Sequence, residues 1–224
     1  MEQEKKRIIK SLIPPLMMVI LLWVIKLGEI ITNIDLGVLG VYPQKLSGLT
    51  GIITGPLIHA NINHLFANSV PLFVLGACLF YFYKEIALRI FVLIYLITGL
   101  AVWVGAREAY HIGASGIVYG LASFLFFSGI FRKDIKLLAI TMLVAFLYGS
   151  MVWGIFPELF PEKNISYESH FWGLIIGLIL AFYYRKLGPQ KETYDWEEED
   201  DEVYDDTHPD EITIKYSNYK TKEE

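Results

Sequence analysis

Four polar side chains of catalytic type are set in apolar sequence. His64 and Asn68 frame His64-Leu65-Phe66-Ala67-Asn68, Ser115 lies in Gly113-Ala114-Ser115-Gly116, and His170 lies in Ser169-His170-Phe171-Trp172-Gly173. Polar and ionisable groups at membrane depth are rare and mark function by default. A serine hydroxyl is a weak nucleophile until a neighbouring base takes its proton. Imidazole, with an ordinary pKa near ~6.5, suits that task at neutral pH. No aspartate or glutamate falls deep in an apolar run, since Glu108 and Glu168 sit at the margins, so a Ser115–His170 dyad is favoured over a triad. The chemistry indicated is acyl transfer, here hydrolysis inside a bilayer.

His64 and Asn68 are one helical turn apart and share a face. Side-chain donors aimed at a developing oxyanion each contribute about 10²–10³ in rate, and the Asn68 amide donates at any pH. Gly113 and Gly116 leave room for another backbone beside the Ser115 hydroxyl, and a helix start offers free amides to an anion. The plain structural alternatives are a small-residue packing motif around Ser115 and helix-stitching roles for His64, Asn68 and His170. Three histidines, His59, His64 and His170, could also ligate a metal. On one helix, however, His59 and His64 would diverge by roughly 140°, so no metal is expected.

These groups need helices to carry them. Apolar runs cover residues 12–25 (extendable to 31), 65–83, 86–105, 112–131, 137–156 and 171–184. An apolar slab of about 30 Å takes about 20 helical residues. The runs predict six transmembrane helices, an all-α bundle, with Pro71 tolerated as a kink inside the second. With 54% hydrophobic and 19% charged residues and a mean hydropathy of +0.43, the chain reads as a polytopic membrane protein rather than a soluble domain. Three segments are expected: a cytoplasmic N-terminus (1–11), the six-span core (12–186) and an acidic tail (187–224).

The net charge of −5 divides into −10 for the tail and +5 for the rest. Runs such as Glu197-Glu198-Glu199-Asp200-Asp201-Glu202 predict a disordered, solvated tail. Eleven lysines and arginines fall on one side of the six spans and four, Lys26, Lys45, Arg107 and Lys163, on the other. The positive-inside rule then puts both termini in the cytoplasm. Ser115, His170 and the His64–Asn68 turn all fall in the outer half of the membrane. No cleavable signal is expected. The lone Cys78 reads as a small buried hydrophobe. His111 is expected to be solvated at the rim, His208 belongs to the tail, and Trp23, Trp103, Trp153 and Trp172 read as interfacial anchors.

The motifs together resemble the rhomboid intramembrane serine proteases, over roughly residues 47–185. Gly113-Ala114-Ser115-Gly116 is similar to the family's GxSG nucleophile motif. His64-x-x-x-Asn68 resembles its HxxxN element, with His59 as the further upstream histidine. His170-x-x-Gly173-x-x-x-Gly177 is similar to the final-span motif, and Tyr119 matches the tyrosine that packs on the base. The resemblance implies peptide-bond hydrolysis within membrane-spanning substrates, with Ser115 as nucleophile and His170 as general base and acid. His64, Asn68 and the Ser115 amide would form the oxyanion site. It also implies a water-filled cavity open to the outer side, a cap formed by the 157–168 loop, and a role for span five in substrate access. One departure is visible: where many members carry Trp-Arg in the first outer loop, this chain has Thr50-Gly51.

The expected protein is therefore an integral protein of a prokaryotic plasma membrane. It would act on single-span substrates without metal or organic cofactor and without nucleic acid. Two other readings compete. One is an inactive relative that binds transmembrane helices; the other is a small transporter relaying protons through His64 and His170.

Overall fold

The computed structural model describes residues 2–147 and 166–188. Among them the chain is helical, with no strand beyond an isolated antiparallel bridge between Val41 and His111. Helix α1 runs Glu2–Thr32, α2 is the short Gly51–Thr54, and α3 runs Ile62–Phe82. Helices α4 (Ala87–Gly105), α5 (Ser115–Arg132), α6 (Ile135–Leu147) and α7 (Tyr167–Tyr183) follow. Four of these, α1, α3, α4 and α5, are long and apolar enough to cross a membrane, and α6 and α7 are shorter apolar helices. The cap segment before residue 166, the end of the fifth apolar run with Trp153, and the tail from 189 lie outside the described residues.

Helix α1 begins ten residues ahead of its apolar run. A Glu2–Lys6 pair one turn apart supports that start, and Arg7 donates to the Tyr81 carbonyl at 3.0 Å. Pro14 and Pro15 lie inside α1, and Pro71 inside α3. Pro15 fits because Gly76 faces it, where a Cβ would come within 2.7 Å of the proline ring. Asn61 caps α3, its side chain accepting the His64 N–H at 2.8 Å.

The most heavily buried helix is α5, with Ile117, Leu121, Phe124 and Leu125 almost fully enclosed. Its closest partner is α7. Gly173 and Gly177 of α7 lie directly on the Gly116 and Gly120 carbonyls of α5, where any Cβ would collide. Glycine is required there by the close backbone approach. At one end of the bundle Arg132 binds Ser128 Oγ at 3.1 Å and the Tyr184 carbonyl at 2.7 Å, tying α5 to the end of α7. The opposite end gathers the C-terminus of α1, the loop before α3, the α4–α5 connection and the start of α7. Ser115, His170, His64 and Asn68 all lie toward that end.

The Thr50-Gly51 departure also has a structural counterpart. Gly51 sits against the Gly40 backbone with no room for a side chain, and Thr54 Oγ1 donates to the Leu39 carbonyl at 2.5 Å. The loop is closed by backbone contact at this point.

Candidate active site

Ser115 is the first residue of α5, and Ala114 precedes it as the N-cap without a side-chain cap. An N–H at that position has no acceptor within the helix. Two anchors fix the approach to it. The Gly113 N–H donates to the Gly55 carbonyl at 2.9 Å, and the Ala114 N–H donates to His59 Nε2 at 3.3 Å. Gly113 holds φ at +106°, a conformation reserved in practice for glycine.

That glycine is where the other candidates converge. A Cβ at Gly113 would stand 2.7 Å from His64 Cε1, 2.9 Å from His64 Nε2 and 3.8 Å from Asn68 Nδ2. The His64 and Asn68 side chains thus face the backbone just ahead of Ser115. Asn68 is buried and donates one N–H to the His64 carbonyl at 3.1 Å, which leaves its second N–H for another acceptor.

His170 is buried on the first turn of α7. Its ring stacks on Tyr119, one turn after Ser115 on α5, with centroids 4.2 Å apart and planes 11° apart. Gly116 faces the Ser169 carbonyl, where a Cβ would come within 3.2 Å. The nucleophile candidate and the base candidate therefore flank one tight helix contact.

His59 departs from the helical reading of its spacing. It lies in the connection before α3, not on the helix, so its ring meets that of His64 edge-on at 5.1 Å. The two imidazoles are adjacent after all. His59 is 1% exposed, and burial, with His64 and Lys26 nearby, pulls its pKa down to about 3. A neutral ring is what the Ala114 amide needs, since Nε2 must accept. Among the described residues no three His, Cys, Asp or Glu side chains form a metal-binding group.

His111 also differs from expectation. It is buried, not solvated, because its backbone exchanges both hydrogen bonds with Val41 at 3.0 and 2.8 Å. Its ring contacts Ser166 and the Arg107 carbonyl. Lys26, counted above among outer loop charges, is buried too. It pairs with Glu29 at 2.6 Å and donates to the His59 carbonyl at 2.8 Å and the Ala60 carbonyl at 3.2 Å. Sequence did contain a signal for this pair in the i,i+3 spacing of Lys26 and Glu29. The burial of His111 depended on a contact with Val41 seventy residues away.

The chain matches the family model described as Rhomboid domain over residues 46–187. An uncharacterized protein of Mycobacterium tuberculosis is 35% identical over 175 residues, covering 73% of this chain and 71% of the relative. An uncharacterized Mycobacterium leprae protein is 30% identical over 184 residues, covering 77% and 70%. A Bacillus subtilis protein, YdcA, whose name marks it as a candidate rhomboid protease, is 27% identical over 146 residues, covering 58% of this chain and 65% of its own.

Proposed function

The chain belongs to the rhomboid family, and we propose that it is an intramembrane serine endopeptidase working through a Ser115–His170 dyad. One observation carries the reading. Ser115 opens α5 beside the α7 turn that bears His170, while His64 and Asn68 face the same short stretch of backbone.

In this mechanism His170 takes the Ser115 proton as Oγ attacks the scissile carbonyl. The negative oxygen that forms accepts hydrogen bonds from the free Asn68 N–H, from His64 and from the Ser115 amide. His170 then returns the proton to the departing amide nitrogen, and water repeats the sequence on the acyl-enzyme. Tyr119 holds the plane of the base. His59 holds the Ala114 amide, and hence the loop that presents Ser115. Gly173 and Gly177 admit α7 to α5. No metal or organic cofactor enters any step.

The substrates of this reading are single-span membrane proteins, cut near the outer ends of their helices. Small or helix-breaking residues flank the bond, because a helical carbonyl must be unwound before a hydroxyl reaches it. The bilayer is that of a prokaryotic plasma membrane, crossed six times, with α6 and α7 as the fifth and sixth spans. Both termini and the acidic tail face the cytoplasm, and the site opens to the outer side.

Purified protein in detergent, incubated with a model single-span substrate, tests this. Cleavage should be present in the unaltered protein and absent in Ser115→Ala, with His170→Ala nearly as inactive because the pair acts as a unit. Equal cleavage by the unaltered protein and Ser115→Ala ends the proposal. Failure of a fluorophosphonate to label Ser115 would favour a relative that binds helices without cutting them.

A further inference from the structure

His111 and Glu168 lie outside the dyad, yet each stands close in sequence to one half of it. His111 is four residues before Ser115, and Glu168 is two before His170. A continuous polar chain runs from His111 to Ser169, the residue before His170. The His111 ring places Nε2 3.0 Å from the Arg107 carbonyl and Nδ1 2.6 Å from Ser166 Oγ. A carbonyl only accepts, so Nε2 carries the hydrogen and the neutral ring's Nδ1 accepts from the Ser166 hydroxyl. Ser166 Oγ is then left to accept from the Ser169 hydroxyl at 2.6 Å. Every donor direction in the chain is fixed, and its last member precedes His170.

A second link runs parallel to it. Arg107 Nη1 lies 3.0 Å from both carboxylate oxygens of Glu168, whose side chain is 11% exposed. The Arg107 guanidinium also lies over the Tyr167 ring, 4.5 Å from its centroid. The α4–α5 connection is thus fastened to the first turn of α7 by an ion pair, a cation–π contact and a hydroxyl chain. On its other side the His111 backbone is locked to Val41.

The glycine contacts at Gly173 and Gly177 fix how near α7 comes to α5 below the site. The first turn of α7 is held from the α5 side by Gly116 on the Ser169 carbonyl and Tyr119 on His170, and from the α4–α5 connection by the polar contacts above. We propose that the Arg107–Glu168 pair and the His111–Ser166–Ser169 chain form a clasp that sets the separation of Ser115 and His170. Glu168 and His111 are then positioning residues for the proton transfer. This inference rests on the protease reading. Proton transfer needs heavy atoms about 2.6–3.2 Å apart, and a misplacement of about 1 Å costs about 10² in rate.

The test compares Glu168→Gln, Arg107→Gln and the exchanged pair Arg107→Glu/Glu168→Arg in detergent with the model substrate, per folded molecule. The single variants should lose about tenfold in kcat with KM within about twofold. The rate of fluorophosphonate labelling at Ser115 should fall in parallel, and the exchanged pair should recover about threefold or more. An unchanged kcat overturns the inference while leaving the protease reading intact. So does a kcat loss with an unchanged labelling rate, which would mark a role in substrate binding or folding alone. If the unaltered protein shows no Ser115-dependent cleavage, both readings fall together.

Discussion

The Tyr119 ring lies flat against the His170 ring, 4.2 Å between centroids and 11° between planes. This contact restrains an imidazole whose own helix offers it few neighbours, since Gly173 and Gly177 line the same face of α7. An aromatic pair of this kind contributes about 0.5–1.5 kcal/mol. Expressed wholly as misalignment of the base, that range is about two- to tenfold in rate. Tyr119→Ala should therefore lower kcat toward the tenfold end, whereas Tyr119→Phe, which keeps the ring, should stay close to the unaltered protein. Steady-state cleavage kinetics distinguish these, and equal losses in both variants would assign the effect to the hydroxyl.

Gly173→Ala should be among the most damaging small changes in the chain. The added methyl meets the Gly116 carbonyl oxygen, a backbone atom that cannot turn aside. Overpacking of this kind costs about 1–3 kcal/mol. Gly28→Ala provides the contrast, because nothing lies within 4 Å of its Cβ position. There the better helix propensity of alanine should stabilise by up to about 1 kcal/mol. Thermal unfolding in detergent should show the two variants moving in opposite directions.

Apolar run lengths located α3, α4 and α5 to within a few residues, because a helix in lipid must satisfy its own backbone and needs a fixed length to cross. Helix α1 is longer than its apolar run, because its mostly polar first ten residues are held by Glu2–Lys6 and by Arg7 on Tyr81. At the site, the shared face of His64 and Asn68 followed from helical period alone. Their convergence on Gly113 did not, because it depends on the loop hydrogen bond from Gly113 to Gly55. His59 was misplaced for a related reason. The Asn61 cap ends the helix before reaching it, so the 100° per residue rule does not apply. His111 was expected to be solvated and Lys26 was counted only as an outer-side charge, since their partners, Val41 and the His59 carbonyl, are distant in sequence.

Acid should loosen the fold through His59. Its folded pKa of about 3 lies below the ordinary 6.5, chiefly through burial. Above about 6.5 the ring is neutral folded or unfolded and contributes no pH dependence. Below that value the unfolded chain takes a proton that the folded chain refuses, so stability falls steadily as pH drops toward 3. Burial lowers His111 as well, and it acts with the same sign. Thermal midpoints measured in detergent from pH 8 to pH 5 should decline below about 6.5. His59→Asn should give a lower midpoint at pH 8 but a shallower slope, and an unaltered slope would show that His59 does not govern the acid limb.

Lys26 gives the last prediction, because its charge is buried with a single acidic partner. Residue exposure is 8% for Lys26, and the Glu29 carboxylate answers it at 2.6 Å while also accepting the Leu36 N–H at 3.2 Å. Removing one member of a buried pair strands the other, which destabilises by about 3–5 kcal/mol. Lys26→Met should therefore lower the thermal midpoint sharply. Lys26→Met/Glu29→Gln should recover much of the loss, since no bare charge remains. Activity should not recover with it. The His59 and Ala60 carbonyls lose their donor in both variants, and that turn carries the ring on which the Ala114 amide rests. A double variant restored in both midpoint and cleavage rate would show that the lysine serves stability alone.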